Sequence, residues 1–299
     1  MPFAQWHYPF ENQNIFKEWY PADYIVEAID QTRGWFFTLM VEAMLLEKKP
    51  PAPFKNVITT GLILDEKGQK MSKSKGNVID PMELFLNASA DCIRWYVYTG
   101  ATAGENYLFS KELLLEKQRR FLLIFWNCYK FFVDYANLAE WSPEKSPEDL
   151  EAKLTILDKW IRTKLNNLCL AVNNQLEKYD VTSSSRAIED FIVKDLSTWY
   201  IRRSRDRVGP TAEKGGEEAF LSTLYDVLYI TSRLCAPFVP FISEEIYKNI
   251  TNRESVHLTD FPAGEEKFHV QKLIDDMDVV RKLAEIAHAK RKESGIKLR

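Results

Sequence analysis

Within five residues, Lys70-Met71-Ser72-Lys73-Ser74 sets two ammonium groups and two hydroxyls. A lysine ammonium is a compact cation with rotatable donors, suited to a phosphate whose charge moves during a reaction, and the Ser72 and Ser74 hydroxyls can donate to the same oxygens. Taken alone, such a string equally describes a solvated loop. A second polar group, Glu27, Asp30 and Gln31, falls where a strand pattern gives way to a helix. Carboxylate and amide groups there can accept from ribose-type hydroxyls or from an ammonium, or simply cap the helix. A third, the run Trp199 to Arg207, gathers two aromatics and four arginines at one helix end. Guanidinium groups pair with phosphate and stack on unpaired bases, and aromatic rings offer platforms for them. Trp199, Arg202, Arg203 and Arg205 are therefore candidates for holding a single-stranded RNA loop, with a solvated basic face over buried rings as the competing reading.

The elements that must position these residues change character along the chain. Tyr24 to Ile29 predicts a short strand and Thr32 to Glu47 a helix capped by Asp30 or Thr32, with Trp35 and Phe36 in the core. Lys48 to Pro53 blocks that helix before a buried strand from Val57 to Leu64. Asp65-Glu66-Lys67-Gly68 then turns the chain into the lysine loop, and Asp80-Pro81 starts the next helix. Such alternation predicts a parallel α/β sheet with sites at the strand carboxyl ends. Short helices follow around Asp91 to Tyr96. From Ser110 the strand signal fades: Leu113, Leu114, Phe121, Phe125, Tyr129 and Phe132 lie on one helical stripe to about Asn137. A Ser142–Pro147 linker follows. Leu157, Ile161, Leu165, Leu168, Val172 and Leu176 keep helical spacing, and further helices are predicted over Ser184–Arg207, Glu217–Leu234 and Val270–Glu293. Together they make a helix bundle. Ser255 to Leu258 can add a strand.

Bulk properties bound the function. The 299 residues suffice for two domains, and 45% hydrophobic with 28% charged residues is a globular composition. A net charge of -3 excludes coating nucleic acid by global positive charge, so any RNA contact must be a local patch. Cys92, Cys128, Cys169 and Cys235 form no CxxC pair and stand apart from the four histidines. That pattern points to reduced, buried thiols in a cytoplasmic protein and to no protein-bound metal. No signal peptide or membrane-spanning run is seen, and Met1-Pro2-Phe3-Ala4-Gln5-Trp6 reads as mid-protein sequence.

The string GLILDEKGQKMSKSKGNVIDP resembles the nucleotide loop of class I aminoacyl-tRNA synthetases, and YIVEAIDQTRGWF resembles the isoleucine enzymes rather than their valine or leucine relatives. The resemblance extends over nearly the whole chain. It implies ATP with Mg2+ as co-substrate, isoleucine and tRNA(Ile) as partners, and Lys73 gripping the leaving phosphates with Lys70 in support. Ser72 and Ser74 also fall to the nucleotide, with Met71 a packing anchor of the loop. It assigns Glu27 to the aminoacyl-adenylate and Asp30 with Gln31 to the adenosine side. LSTWYIRRSRDR and LCAPFVPFISEEIY are similar to the anticodon domain, placing Trp199, Arg202, Arg203 and Arg205 at the anticodon arm.

The fold so implied is α/β followed by all-α. Residues 1–109 form the second half of a Rossmann-type parallel sheet with a connecting fold that braces the tRNA stem. Residues 110–265 form the anticodon-binding helix bundle, and 266–299 the start of a junction helix. Two departures stand out. Ala28 replaces the family's usual glycine, where a methyl could weaken adenylate binding. The family's His-x-Gly-His turn occurs nowhere in the chain, so an N-terminal half must supply it and the fragment alone is expected to be inactive. A non-catalytic tRNA-binding module or degenerate paralogue is the alternative class, and a valine enzyme the alternative ligase.

Overall fold

The computed structural model describes residues 2–46, 52–145, 149–210, 212, 214–265 and 269–295. The Lys48–Pro51 break, the Ser146–Pro147 part of the linker and the final residues Ile296–Arg299 lie outside that set. The chain divides into two compact units: Met1–Pro81 with Gly100–Lys111, and Met82–Thr99 with Glu112–Arg299.

In the first unit, β1 (Ala22–Ala28) pairs in parallel with β2 (Phe54–Thr60), with Ile25 opposite Val57 and Glu27 opposite Thr59. Parallel pairing requires a crossover, supplied here by α1 (Trp35–Leu46). Its core holds Phe3, Phe16, Ile25, Phe36, Leu39 and Ala43, with Tyr8 stacked on Phe16 at 3.9 Å between ring centroids. Three expectations are corrected. The stretch from Val57 to Leu64 is not one strand: β2 ends at Thr60, and β3 (Ile63–Leu64) pairs in parallel with β4 (Tyr107–Leu108) in a separate sheet. The break falls at Gly61, where a side chain would run into the Glu105 carbonyl. Ile29 belongs not to the strand but to a 3-10 turn, Ile29–Arg33, that precedes α1. Trp35 is 38% exposed rather than in the core. The α1 sequence is apolar nearly all round, so periodicity does not reveal which face is covered.

The second unit is helical. Its first long helix runs through Lys111–Lys117, a π segment Gln118–Leu122, and α3 (Leu123–Leu138), after α2 (Ala90–Gly100). The predicted stripe is buried at Leu114, Phe121, Phe125, Tyr129 and Phe132. Trp95 of α2 stacks on Phe121 at 3.7 Å, and its indole N–H donates to Glu189 Oε2 at 3.0 Å. α4 (Ile156–Leu176) starts with a capping box in which Thr155 and Asp158 satisfy each other's backbone N–H groups. α5 (Val181–Asp190) continues without a break through a π segment, Phe191–Ile201, to a 3-10 end at Arg207. α6 (Lys214–Cys235), α7 (Pro240–Thr251) and α8 (Gln271–Glu293) complete the unit. The Ser255–Leu258 strand is replaced by a 3-10 turn, Val256–Leu258, because the Ser255 hydroxyl accepts the His257 N–H at 3.1 Å and curls the chain locally. All four cysteines are buried. Among the described residues no helix is long and apolar enough to cross a membrane.

Candidate nucleotide loop and candidate RNA-facing helix

Because β1 and β2 run parallel, the residues after Glu27 and those after Thr59 leave the sheet at the same, carboxyl end. Glu27 is exposed there, one carboxylate oxygen accepting the Ala28 N–H at 2.9 Å. Asp30 is exposed in the 3-10 turn. Gln31, rather than Asp30 or Thr32, caps α1: its amide oxygen accepts the Trp35 N–H at 3.0 Å, while the Thr32 hydroxyl turns back to the Ile29 carbonyl. Ala28 has φ -63° and ψ 154°, a region open to every residue. Alanine there costs no backbone strain, so its methyl acts only through the space it occupies.

The lysine loop is built on a hairpin-like turn closed by the Leu64–Lys70 bridge. Asp65 organises it. One carboxylate oxygen accepts the Lys67 and Gln69 N–H groups at 3.0 and 2.8 Å, and the other accepts from Asn77 Nδ2 at 2.9 Å. These bonds, the one from the Asn77 side chain first, hold the Asp65 carboxyl below the usual carboxylate range. Asn77 Oδ1 accepts the Ser72 N–H at 2.9 Å, so the loop is tied at its middle to the turn behind it. Gly76, beside Asn77, has φ +66°, a left-handed conformation that glycine adopts without a Cβ penalty. Lys70 and Ser74 are exposed, Met71 and Ser72 half-buried, and the Ser72 and Ser74 hydroxyls lie 3.1 Å apart. Lys73 opens the short 3-10 turn Lys73–Lys75, and its side chain lies outside the described set. A groove of about 500 Å³ runs beside the loop, lined by Asp65, Gln69, Lys75, Asn77, Ile79 and Phe109. The unit thus presents cations, hydroxyls and an open groove on one loop.

In the helical unit the four arginines of the Trp199–Arg207 run separate into two kinds. Arg202, Arg203 and Arg205 are exposed. Arg207 instead forms a bidentate pair with the fully buried Asp158, Nη1 to Oδ1 at 2.7 Å and Nη2 to Oδ2 at 2.9 Å. Tyr200 donates its hydroxyl to the same carboxylate at 2.7 Å, and burial pushes its phenol well above the ordinary range. Trp199 is half-buried, with its indole N–H donating to Met277 Sδ at 3.3 Å. The Arg203 guanidinium lies 5.0 Å from its ring centroid and that of Arg281 5.5 Å. Arg281 also sits 5.5 Å from the Trp160 ring and pairs with Asp195. Of the exposed cations, Arg203 therefore rests on a ring that Met277 and Arg281 of α8 hold from their side.

Asp65, Asn77, Asp195 and Arg281 escape a reading of the lysine and arginine runs. The Asp65 turn and the Gly76-Asn77 turn are visible as turns, and the 12-residue spacing of Asp65 and Asn77 carries no periodic signal that they meet. Arg281 is 86 residues from Asp195, beyond any local rule. No cluster of three metal-ligating side chains occurs among the described residues.

Residues 1–110 match the family model described as tRNA synthetases class I (I, L, M and V), and residues 158–299 match the anticodon-binding domain of tRNA ligase. Over its whole length the chain is 43% identical to the isoleucine–tRNA ligase of Thermus thermophilus and 44% identical to that of Dehalococcoides mccartyi strain 195. It is 41% identical to isoleucine–tRNA ligase 2 of Bacillus thuringiensis subsp. konkukian. It spans 29%, 30% and 28% of these relatives respectively. Among solved structures, the Agrobacterium radiobacter K84 LeuRS in a ternary complex with tRNA and LeuAMS matches 90% of the chain with 33% of its own length, at TM-score 0.65 and 21% identity. Methionyl-tRNA synthetase of Mycobacterium tuberculosis, in complex with methionyl-adenylate, matches 82% with 47% of its own length, at TM-score 0.66 and 18% identity. These two likenesses are of fold.

Proposed function

We propose that the chain is a segment of an isoleucine–tRNA ligase, as the match of residues 1–110 to the class I tRNA synthetases of the isoleucine, leucine, methionine and valine group and of residues 158–299 to the anticodon-binding domain of tRNA ligase supports. The whole enzyme would activate isoleucine with magnesium-bound ATP and transfer it to tRNA(Ile) in the cytoplasm. This segment supplies the lysine loop and the anticodon-arm contact. The observation that carries the reading is the parallel β1–β2 register, which sends the Glu27–Gln31 turn and the segment leading to the lysine loop from the carboxyl end of the same strand pair. A crevice at strand carboxyl ends is where open α/β sheets bind nucleotides.

In this reading the isoleucine carboxylate attacks the α-phosphate of ATP and pyrophosphate leaves. Negative charge grows on the phosphate oxygens, and Lys73 with Lys70 stabilises it, helped by the Ser72 and Ser74 hydroxyls. Met71 anchors the loop by packing. Glu27 receives the aminoacyl-adenylate, and Asp30 with Gln31 the adenosine side. Residues 1–109 then serve activation and the tRNA stem, 110–265 the anticodon arm through Trp199, Arg202, Arg203 and Arg205, and 266–299 the junction. An N-terminal half carrying the remaining phosphate contacts is the required partner.

The test is ATP–pyrophosphate exchange by the full-length protein against a panel of amino acids. Isoleucine-dependent exchange, absent with the 299-residue chain alone, is the expected result. Exchange driven by valine in preference to isoleucine, or by neither, overturns the proposal.

A further inference from the structure

A side-chain relay ties the loop to the turn behind it, and the hydrogen-bonding roles along it are fixed. A carboxylate can only accept and a backbone N–H can only donate. The Asn77 amide lies between the Asp65 carboxylate, 2.9 Å away, and the Ser72 N–H, also 2.9 Å away. Its NH2 must therefore face Asp65 and its oxygen must face Ser72. The same Nδ2 reaches the Lys70 carbonyl at 3.4 Å. Behind it, Asp65 is itself immobilised by the Lys67 and Gln69 N–H groups and by its own backbone, whose N–H and carbonyl bond Gln69 and Gly68. Asn77 thus fastens the backbone on both sides of Met71 to a rigid turn. Lys70 and Lys73 are the residues that flank the fastened stretch.

We propose that Asn77, backed by Asp65, is the positioning residue of the lysine loop, setting the backbone from which Lys70 and Lys73 reach the phosphates. The inference deepens the ligase reading and rests on it. Flexible lysine side chains have large rotamer freedom, and cations hanging from an untethered loop would have to be ordered anew at each turnover. Preorganisation of the backbone removes that cost from the chemical step.

The fixed roles give a sharp test. Asn77→Asp places a second carboxylate against Asp65, and Asp65→Asn opposes two NH2 groups; each nearly isosteric change breaks the relay. Made together, they restore it in reverse. The amide introduced at position 65 would accept from the Lys67 and Gln69 N–H groups and donate to the carboxylate introduced at position 77, which would in turn accept from the Ser72 N–H. Only the long bond to the Lys70 carbonyl is lost.

Trypsin cleavage after Lys70 and Lys73 in the 299-residue chain reads the tether without any activity. N77A and N77D should be cut about tenfold faster than the parent, with an unchanged thermal midpoint, and D65N/N77D near the parental rate. In the full-length enzyme N77A should lower kcat for isoleucine-dependent exchange at least about tenfold and leave the isoleucine KM in place, with recovery in the double swap. Equal cleavage of N77A and parent, an unrescued swap, or exchange by N77A at the parental kcat overturns the assignment. A parent without isoleucine-dependent exchange overturns the ligase reading and with it the catalytic role of the relay, while trypsin still reports whether the loop is tethered.

Discussion

Replacing Arg207 by alanine is expected to destabilise the helical unit by about 3–5 kcal/mol, the cost of leaving a buried charge without its partner. The structure puts the substitution at the upper end of what one residue can do. Asp158 has no exposed side-chain surface, and both its oxygens are bonded to Arg207. Tyr200 and the Thr155 cap bond it as well, but they are neutral donors. Without the guanidinium the carboxylate keeps only the bonds from Tyr200 and Thr155 and loses its countercharge. For a urea m-value near 2 kcal/mol/M, the unfolding midpoint should fall by roughly 1.5–2.5 M. Circular dichroism at 222 nm follows it, since helices dominate this unit. R205A, which removes an exposed arginine two residues away, should stay within about 0.5 kcal/mol of the parent. Adding D158N to R207A should recover part of the loss, since the amide keeps the cap's acceptor and removes the stranded charge. If R207A unfolds within about 1 kcal/mol of the parent, or if D158N deepens the defect, the buried pair does not hold this helix end.

Three further outcomes are expected. In the full-length enzyme K73A should slow adenylate formation by about 2.7–4 kcal/mol in barrier while isoleucine affinity is kept, by analogy with loss of an oxyanion donor; rapid-quench adenylate formation at the parental rate would contradict this. R202A/R203A should weaken tRNA(Ile) binding and reduce the slope of log K against log salt by about 1.4, two phosphate contacts' worth on a single-stranded loop, with circular dichroism unchanged; fluorescence titration at several salt concentrations decides it. Burial pushes the thiols of Cys92 and Cys169 up to about 11 and that of Cys128 to about 12, from an ordinary 9.0. Since their folded values are raised, the stabilisation is intact below pH 9 and lost as pH climbs toward 11–12, so urea midpoints should fall over that interval, and Ellman's reagent should be slow on the native chain at neutral pH.

Helix positions were legible in the sequence because they rest on local rules. The stripe Leu114, Phe121, Phe125 and Phe132 is buried along one helix face despite a π segment between Gln118 and Leu122, since a one-turn bulge shifts the phase without breaking the helix. Pro81 opens a helix as its fixed φ and missing N–H require. The strand error was decided by a contact distant in sequence, the cap error by the reach of one side chain. The strand from Val57 breaks at Gly61 because backbone from Glu105, much later in the chain, passes there. The helix cap went to Gln31 because its longer side chain reaches the Trp35 N–H. The lysine loop and arginine cluster were visible as composition. That Asn77 meets Asp65, and that Arg281 packs on the Trp199 ring, depends on which residues come together, and neither helical nor strand periodicity encodes that.

The segment around Asp91-Cys92-Ile93-Arg94-Trp95 makes the same point from the other side, since its spacing becomes interpretable once the partner is seen. Asp91 and Arg94, three apart on α2, share a helix face. Asp91 is buried and accepts the Phe241 and Ile242 N–H groups at 3.3 and 2.7 Å, at the start of α7. Arg94 donates to the Pro237 and Phe238 carbonyls at 2.8 and 2.9 Å, in the corner just before it. One carboxylate and one guanidinium thus take up the free N–H groups and free carbonyls of a single helix–helix corner, each at the end its charge favours. Burial raises the Asp91 carboxyl all the same, the two backbone bonds and the nearby Arg94 offsetting it only in part. A charge-bearing pair kept in so dry a place is a poor source of net stability. Its stronger effect is geometric, fixing α2 to the α6–α7 corner in one register. Through Trp95, Glu189 and Lys117 the same helix is tied to α5 and the helix before α3. Residues 82–99 are thereby carried as part of the helical unit, and α5, the partner of α2, continues into the helical end that bears Arg202, Arg203 and Arg205.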